Sequence, residues 1–146
     1  MATIVVGVDG SSSAQAALRF AVQEAKLRGA GVRVVTAWHV STMVYSGGGF
    51  APGIDPTVFE ESASGSLEQA LAALGDEANG VEIERSIRMG QPAQVLVEEA
   101  KDADLLVVGS RGHGGFAGLL LGSVSHQCAL HARCPVVIVH EPEGTD

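Results

Sequence analysis

The sequence predicts an α/β protein: a single doubly wound domain with an open five-stranded parallel sheet in the order 3-2-1-4-5 and helices on both faces. Three observations predict it. Short apolar runs with strand character alternate with helical patterns from end to end, the order that builds a parallel sheet. The chain is 46% hydrophobic but only 4% aromatic, so its core is Val, Leu, Ile and Ala, which suits a sheet covered on both faces by Ala-rich helices. The stretch Gly109-Ser110-Arg111-Gly112 lies between an apolar run and a helical segment, where a doubly wound fold carries its ligand loops.

Thr3 to Val8 is a β-branched run, and Asp9 to Ser13 supplies helix-capping residues. From Ala14 to Leu27, Ala14, Leu18, Ala21, Val22 and Ala25 share one helical face, and Gly29 and Gly31 end that helix. Val32 to Trp38 is the second strand. Ser41 to Pro56, with Gly47-Gly48-Gly49 and two prolines, reads as a long mobile loop of the kind that covers a site. A helix follows over Thr57 to Ala78, with Leu67, Ala70, Leu71 and Leu74 at helical spacing. Val81 to Arg88 alternates apolar and polar, as a strand near the sheet edge does. Pro92 fits the first turn of a short helix with Leu96 and Ala100 inward. Leu105 to Val108 is a buried strand, Ser123 to Arg133 a helix, and Val136 to Val139 the last strand. The tail, Glu141 to Asp146, reads as disordered.

At 146 residues the chain is long enough to bury a core, and residues 1–146 read as one domain. The formal charge of −8 opposes binding to nucleic acid or to an anionic membrane. It does not oppose a single nucleotide held at short range by backbone amides. No apolar run approaches the length of a membrane span, and Thr3 to Val8 is too short for a signal peptide. Cys128 and Cys134, six positions apart, make no disulfide framework. The expected location is cytoplasmic.

In the expected strand order, strands 1 and 4 lie side by side at the centre and the connections reverse there. Ligands bind in the crevice at the carboxyl ends of such strands. Asp9, just beyond strand 1, and Gly109, at the end of strand 4, both sit at that switch point. Gly109 and Gly112 would let the loop lie close to a phosphate. Gly122 would open the helix and expose the N–H groups of Ser123 and Val124. The hydroxyls of Ser123 and Ser125 are candidate donors to phosphate oxygens. Arg111 is either a further charge on the phosphates or a solvated side chain. Asp9 is a candidate acceptor for a ribose hydroxyl, a candidate ligand for a divalent metal near the phosphates, or a helix N-cap, and these roles are compatible.

The spacing G-x2-G-x9-G-[ST], from Gly109 to Ser123, resembles the nucleotide-binding loop of the universal stress protein family. The resemblance covers almost the whole chain, through Ile4-Val5-Val6-Gly7-Val8-Asp9-Gly10-Ser11 and Gly122-Ser123-Val124-Ser125 to Cys134-Pro135-Val136-Val137-Ile138-Val139. It implies the adenine nucleotide alpha hydrolase-like version of the fold. It implies that Ala37 meets adenine through its backbone, and that Gly7, Val8 and Asp9 line the nucleotide together with Val108, Gly109, Arg111 and Gly112. Gly122, Ser123, Val124 and Ser125 would hold phosphate. The glycine signature has no departures. The family's usual dimer implies self-pairing of the last strand, Val136 to Val139, an apolar edge that needs cover.

Other patterns are set aside. Gly112-His113-Gly114-Gly115-Phe116-Ala117 fits a dinucleotide fingerprint but does not open a helix and lacks its acidic partner. Ser46-Gly47-Gly48-Gly49 follows the wrong strand for a pyrophosphate loop, and no Gly-Lys-[ST] triplet exists for a P-loop. A phospho-receiver needs clustered acids after strand 1 and an Asp after strand 3, where Arg88-Met89-Gly90 stands. His126 and Cys128 are about 200° apart on a helix and cannot share a zinc ion. Cys128 reads as a small core residue. His113 and the acids Glu98, Glu99, Asp102 and Asp104 read as solvated. No catalytic triad can be argued from spacing.

These readings lead to a homodimeric regulator of the stress response that binds ATP with Mg²⁺ or Mn²⁺. Binding would order residues Ser41 to Pro56 and Gly112 to Gly122 and shift a population that a partner reads. AMP or a cyclic nucleotide remains an alternative ligand. One rival is a slow ATPase or self-phosphorylating protein with Ser123, Ser125 or His113 as acceptor. It lacks an evident general base and any arginine finger other than Arg111. The other rival is a dimeric interaction module that binds no nucleotide.

Overall fold

The computed structural model describes residues 2–39, 55–111 and 122–141. Five strands, β1 (Thr3–Gly7), β2 (Gly31–Trp38), β3 (Ile83–Met89), β4 (Leu105–Gly109) and β5 (Val136–Val139), form one sheet in the order β3-β2-β1-β4-β5. Every pairing is parallel, with Val5 of β1 beside Arg33 of β2 and Leu106 of β4. This is the strand order expected from the sequence. Among the described residues four helices cover it: α1 (Ser12–Arg28), α2 (Thr57–Leu74), α3 (Pro92–Glu99) and α4 (Ser123–His131).

In β1 and β4, Ile4 to Val6 and Leu105 to Val108 are apolar without a break because both faces are covered. Ile4, Val6, Leu105 and Val107 point into a core shared with Ala17, Leu18 and Ala21 of α1 and Leu67 of α2. Val5, Leu106 and Val108 point the other way, against Val95 and Leu96 of α3 and Cys128 of α4. β3 carries the expected edge character, its exposed Glu84 and Arg85 interleaved with half-buried Ile83 and Ile87.

The helix ends follow local chemistry. Ser11 caps α1, its Oγ accepting the Ala14 N–H at 3.1 Å. Gly29, with φ of 66°, closes it through an N–H donated to the Ala25 carbonyl. The helix expected over Thr57 to Ala78 stops at Leu74. Gly75, with φ of 54° and ψ of −127°, turns the backbone off the helical path, and residues Gly75–Ala78 form a 3-10 turn. Helix α4 ends at His131 rather than Arg133, and Ala132 is already extended. The proline at 135 disfavours helical backbone just before it.

The expected covering loop, Ser41 to Pro56, lies outside the described residues apart from Asp55 and Pro56. The stretch 112–121, with Gly112 and His113, also lies outside them. Of the expected tail, Glu141 is placed: its carboxylate accepts the Ser12 hydroxyl at 2.5 Å, which ties the end of β5 to the start of α1. Residues 142–146 lie outside the described part.

Candidate functional site

The site is built at the carboxyl ends of β1 and β4, with β2 and β5 beside them. β1 runs out at Gly7. The next residue, Val8, is still tied to β2 through its N–H to the Val35 carbonyl at 2.9 Å. The chain then turns, and the exposed Asp9 accepts the Ser11 N–H on its Oδ1 at 2.9 Å. Asp9 therefore organises the turn into α1, and Ser11, not Asp9, is the N-cap.

Two glycines fix how closely the helices approach. A side-chain carbon at Gly7 would lie 2.7 Å from Cδ1 of Leu96, so Gly7 seats α3 against β1. A side-chain carbon at Gly109 would lie 2.7 Å from the carbonyl carbon and oxygen of Ser13 and would also overlap Ser13 Oγ. The reason for a glycine at the end of β4 is thus the first turn of α1, a different neighbour from the phosphate expected from the sequence.

Past Gly109 the backbone is held from four sides. The Ser110 N–H donates to the Val139 carbonyl at 2.9 Å, which extends the β4–β5 ladder. The Ser110 carbonyl accepts the Gly122 N–H at 2.7 Å and the Ser125 hydroxyl at 3.2 Å. The Arg111 N–H donates to Ser13 Oγ at 3.2 Å. The two ends of the stretch from Arg111 to Gly122 are thereby drawn together at one point.

Helix α4 begins there. Gly122 is its N-cap residue in an extended conformation, and no side chain caps it. The His126 N–H is bonded to the Gly122 carbonyl at 3.0 Å. Helix geometry leaves the N–H groups of Ser123, Val124 and Ser125 without partners inside the helix. They carry the positive end of the helix dipole. Ser123 is exposed. Ser125 is 2% exposed, and its hydroxyl is bonded to the carbonyls of Ser110 and Gly122. The donor expected to face a phosphate is instead committed to the backbone, and the buried side chain is not placed as a phosphoryl acceptor.

Gly7, Ala37, Val108 and Val124 share the α3/α4 side of the sheet: Ala37 and Val124 pack against the cluster that contains Val108 and Leu96, and Leu96 faces Gly7. An open groove of about 710 Å³ runs along that side, lined by Gln91, Pro92 and Val97 of the α3 region and by Ser123, Val124 and His131 of α4. Arg111 and Asp9 are exposed. The structure thus gathers Gly7, Ala37, Val108 and Val124 on one side, whereas Val8 packs in the α1 core and Gly109 faces Ser13; Gly112 lies outside the described residues.

Sequence reading missed the part played by Ser13, taken there only as one of several capping residues, and by Ser110. Both are at least 95% buried. The signal for Ser13 was its place on the buried stripe of α1 that continues through Ala17 and Ala21.

Among the described residues no group of three or more His, Cys, Asp or Glu side chains is arranged to hold a metal. Burial raises the Cys128 thiol to about 11. Burial first, and the charge of Asp104 second, raise Cys134 as well. Neither is set up as a reactive thiolate. No helix among the described residues is long and apolar enough to cross a membrane.

The universal stress protein family model matches residues 1–140. A universal stress protein of Mycobacterium tuberculosis is 39% identical over 141 residues, covering 96% of this chain and 46% of the relative. The chain thus spans about half the length of the curated relatives it matches. A solved universal stress protein in complex with cAMP is 32% identical with a TM-score of 0.61, covering 97% of this chain and 98% of that one. A universal stress protein from Archaeoglobus fulgidus in complex with dAMP is 26% identical with a TM-score of 0.58, covering 95% and 98%.

Proposed function

The chain belongs to the universal stress protein family, and from that premise we infer that it binds an adenine nucleotide in the crevice at the ends of β1 and β4 and acts as a nucleotide-dependent regulator. The observation that carries this reading is the start of α4. Its uncapped amino end and the backbone at Gly109–Arg111 are held side by side by the Ser110 carbonyl. Free N–H groups at a helix start beside a glycine turn form an anion site. The two solved relatives that hold cAMP and dAMP support the adenine class.

The roles proposed are those the family resemblance implies. Ala37 offers its backbone to adenine, and Gly7, Val8 and Val108 form the floor. Gly109 keeps the floor open by admitting α1. The exposed Asp9 takes a ribose hydroxyl or a metal ion brought by ATP. Ser123 and Val124 supply N–H groups, and Ser123 a hydroxyl, to phosphate. Arg111 adds charge, and Ser125 holds the backbone at Ser110. In a full regulatory cycle, ATP with Mg²⁺ or Mn²⁺ is the ligand, and the protein works as a dimer through β5 in the cytoplasm.

Titration calorimetry with Mg·ATP tests the reading, with Gly122→Val as control. Gly122 is buried at the cap, so a valine pushes α4 from the loop. We expect saturable heat for the native protein and its loss in the variant. No heat from folded, nucleotide-free protein would reject nucleotide binding and favour the interaction module.

A further inference from the structure

Two buried serines outside the phosphate-facing set converge on the base of the loop. Ser13 is 1% exposed and lies in the first turn of α1, where its Oγ accepts the Arg111 N–H. Ser125, equally deep, lies in the first turn of α4, where its hydroxyl donates to the Ser110 carbonyl. The two grip the same peptide unit, Ser13 at its Arg111 N–H and Ser125 at its Ser110 carbonyl. They reach that point from helices on opposite faces of the sheet: α1 packs with the Ile4–Val6 core and α4 with the Val5–Leu106 core. A packed core position normally takes an apolar side chain. A hydroxyl there has its effect through the bond it makes, since a buried polar group without one costs stability.

We propose that Ser13 and Ser125 are positioning residues that set the loop's approach to the phosphate of the bound nucleotide. This rests on the nucleotide-binding reading above. Neither hydroxyl touches the ligand. Ser13 fixes the peptide plane between Ser110 and Arg111, and Ser125 fixes the distance from that plane to the start of α4. Together they hold the Ser110–Arg111 peptide and the α4 amides at one spacing before ligand arrives, which lowers the ordering cost of binding. Adenine and ribose lie toward Ala37 and Asp9 and do not use that spacing.

The test compares AMP with adenosine by calorimetry on the full chain, for the native protein, Ser13→Ala, Ser125→Ala and Val22→Ala. Alanine keeps both helices and removes only the hydroxyl. Val22→Ala opens a cavity in the buried face of α1 and controls for lost stability. We expect each serine variant to weaken AMP by about fivefold or more, the effect of one lost hydrogen bond. Adenosine should change less than about twofold, and Val22→Ala should leave both ligands as they were. Equal weakening of AMP and adenosine, an equal loss in Val22→Ala, or no loss in either serine variant would overturn the proposal while leaving nucleotide binding intact. Failure of the native protein to bind either ligand would overturn both. If one serine variant does not fold, the same contrast in the other decides the matter.

Discussion

At Gly109 there is room for a hydrogen and nothing larger, because the Ser13 carbonyl lies where a side-chain carbon would go. Backbone, unlike the tip of a flexible side chain, does not step aside cheaply. Gly109→Ala should therefore lower stability by roughly 1–3 kcal/mol, read from the urea midpoint; an unchanged midpoint would mean that α1 shifts freely. Cys128 gives a second prediction. Its thiol ionises near 9 when unfolded and at about 11 when buried. Between those values the unfolded state has lost the proton and the folded state keeps it, so stability falls as pH rises through this window. The loss is roughly 2–3 kcal/mol, and Cys128→Ala should flatten the curve between pH 9 and 11. The same residues show how much of the site was legible. Gly109, Asp9 and Gly122 were found because topology and the glycine spacing place them at the switch point. The reasons for them were less legible: Ser11 is the cap, α1 is the neighbour of Gly109, and Ser125 faces the backbone. A spacing of glycines reports that the backbone is crowded, but not by what.

Among the described elements, β5 is an edge strand without charged side chains. The Leu106 N–H donates to the Pro135 carbonyl and the Ser110 N–H to the Val139 carbonyl. With a period of two, the peptide groups of Val136 and Ile138 point away from β4 toward the open edge. All four β5 side chains are half-buried. The opposite edge, β3, is instead guarded by charge: Glu84 pairs with Arg33, Arg85 with Glu68, and Arg88 with Glu98. Charged edges resist pairing and apolar ones invite it. If a second copy pairs there, Ile138→Pro removes an outward donor while sparing the ladder to β4. Sedimentation should then show a dimer turned monomer; a variant that still associates would place the contact elsewhere. The sheet itself was fully legible, since alternating segments and right-handed crossovers leave few strand orders. Element ends were less so. The α2 pattern runs past Leu74 because Ala78 continues the apolar spacing, whereas the left-handed turn at Gly75 is invisible to periodicity.

On the scale of the molecule, a chain of net charge −8 is asked to hold an anion. Five of its arginines are committed to glutamates: Arg19, Arg28, Arg33, Arg85 and Arg88. The cation expected at the crevice is Arg111, which is exposed. Binding must then come from amide dipoles at short range, against a weak long-range repulsion from the rest of the surface. Salt acts on these two terms unequally. At about 0.15 M the screening length is near 8 Å, so added salt removes the repulsion and leaves close amide–phosphate bonds largely untouched. A site built on lysine and arginine side chains behaves the opposite way and weakens steeply with salt. The affinity for AMP, measured from about 0.05 to 0.5 M salt, should therefore stay level or rise slightly, and Arg111→Ala should shift it by less than about fivefold. A tenfold fall across that range, abolished by Arg111→Ala, would make Arg111 the principal phosphate ligand and demote the α4 amides to a supporting role.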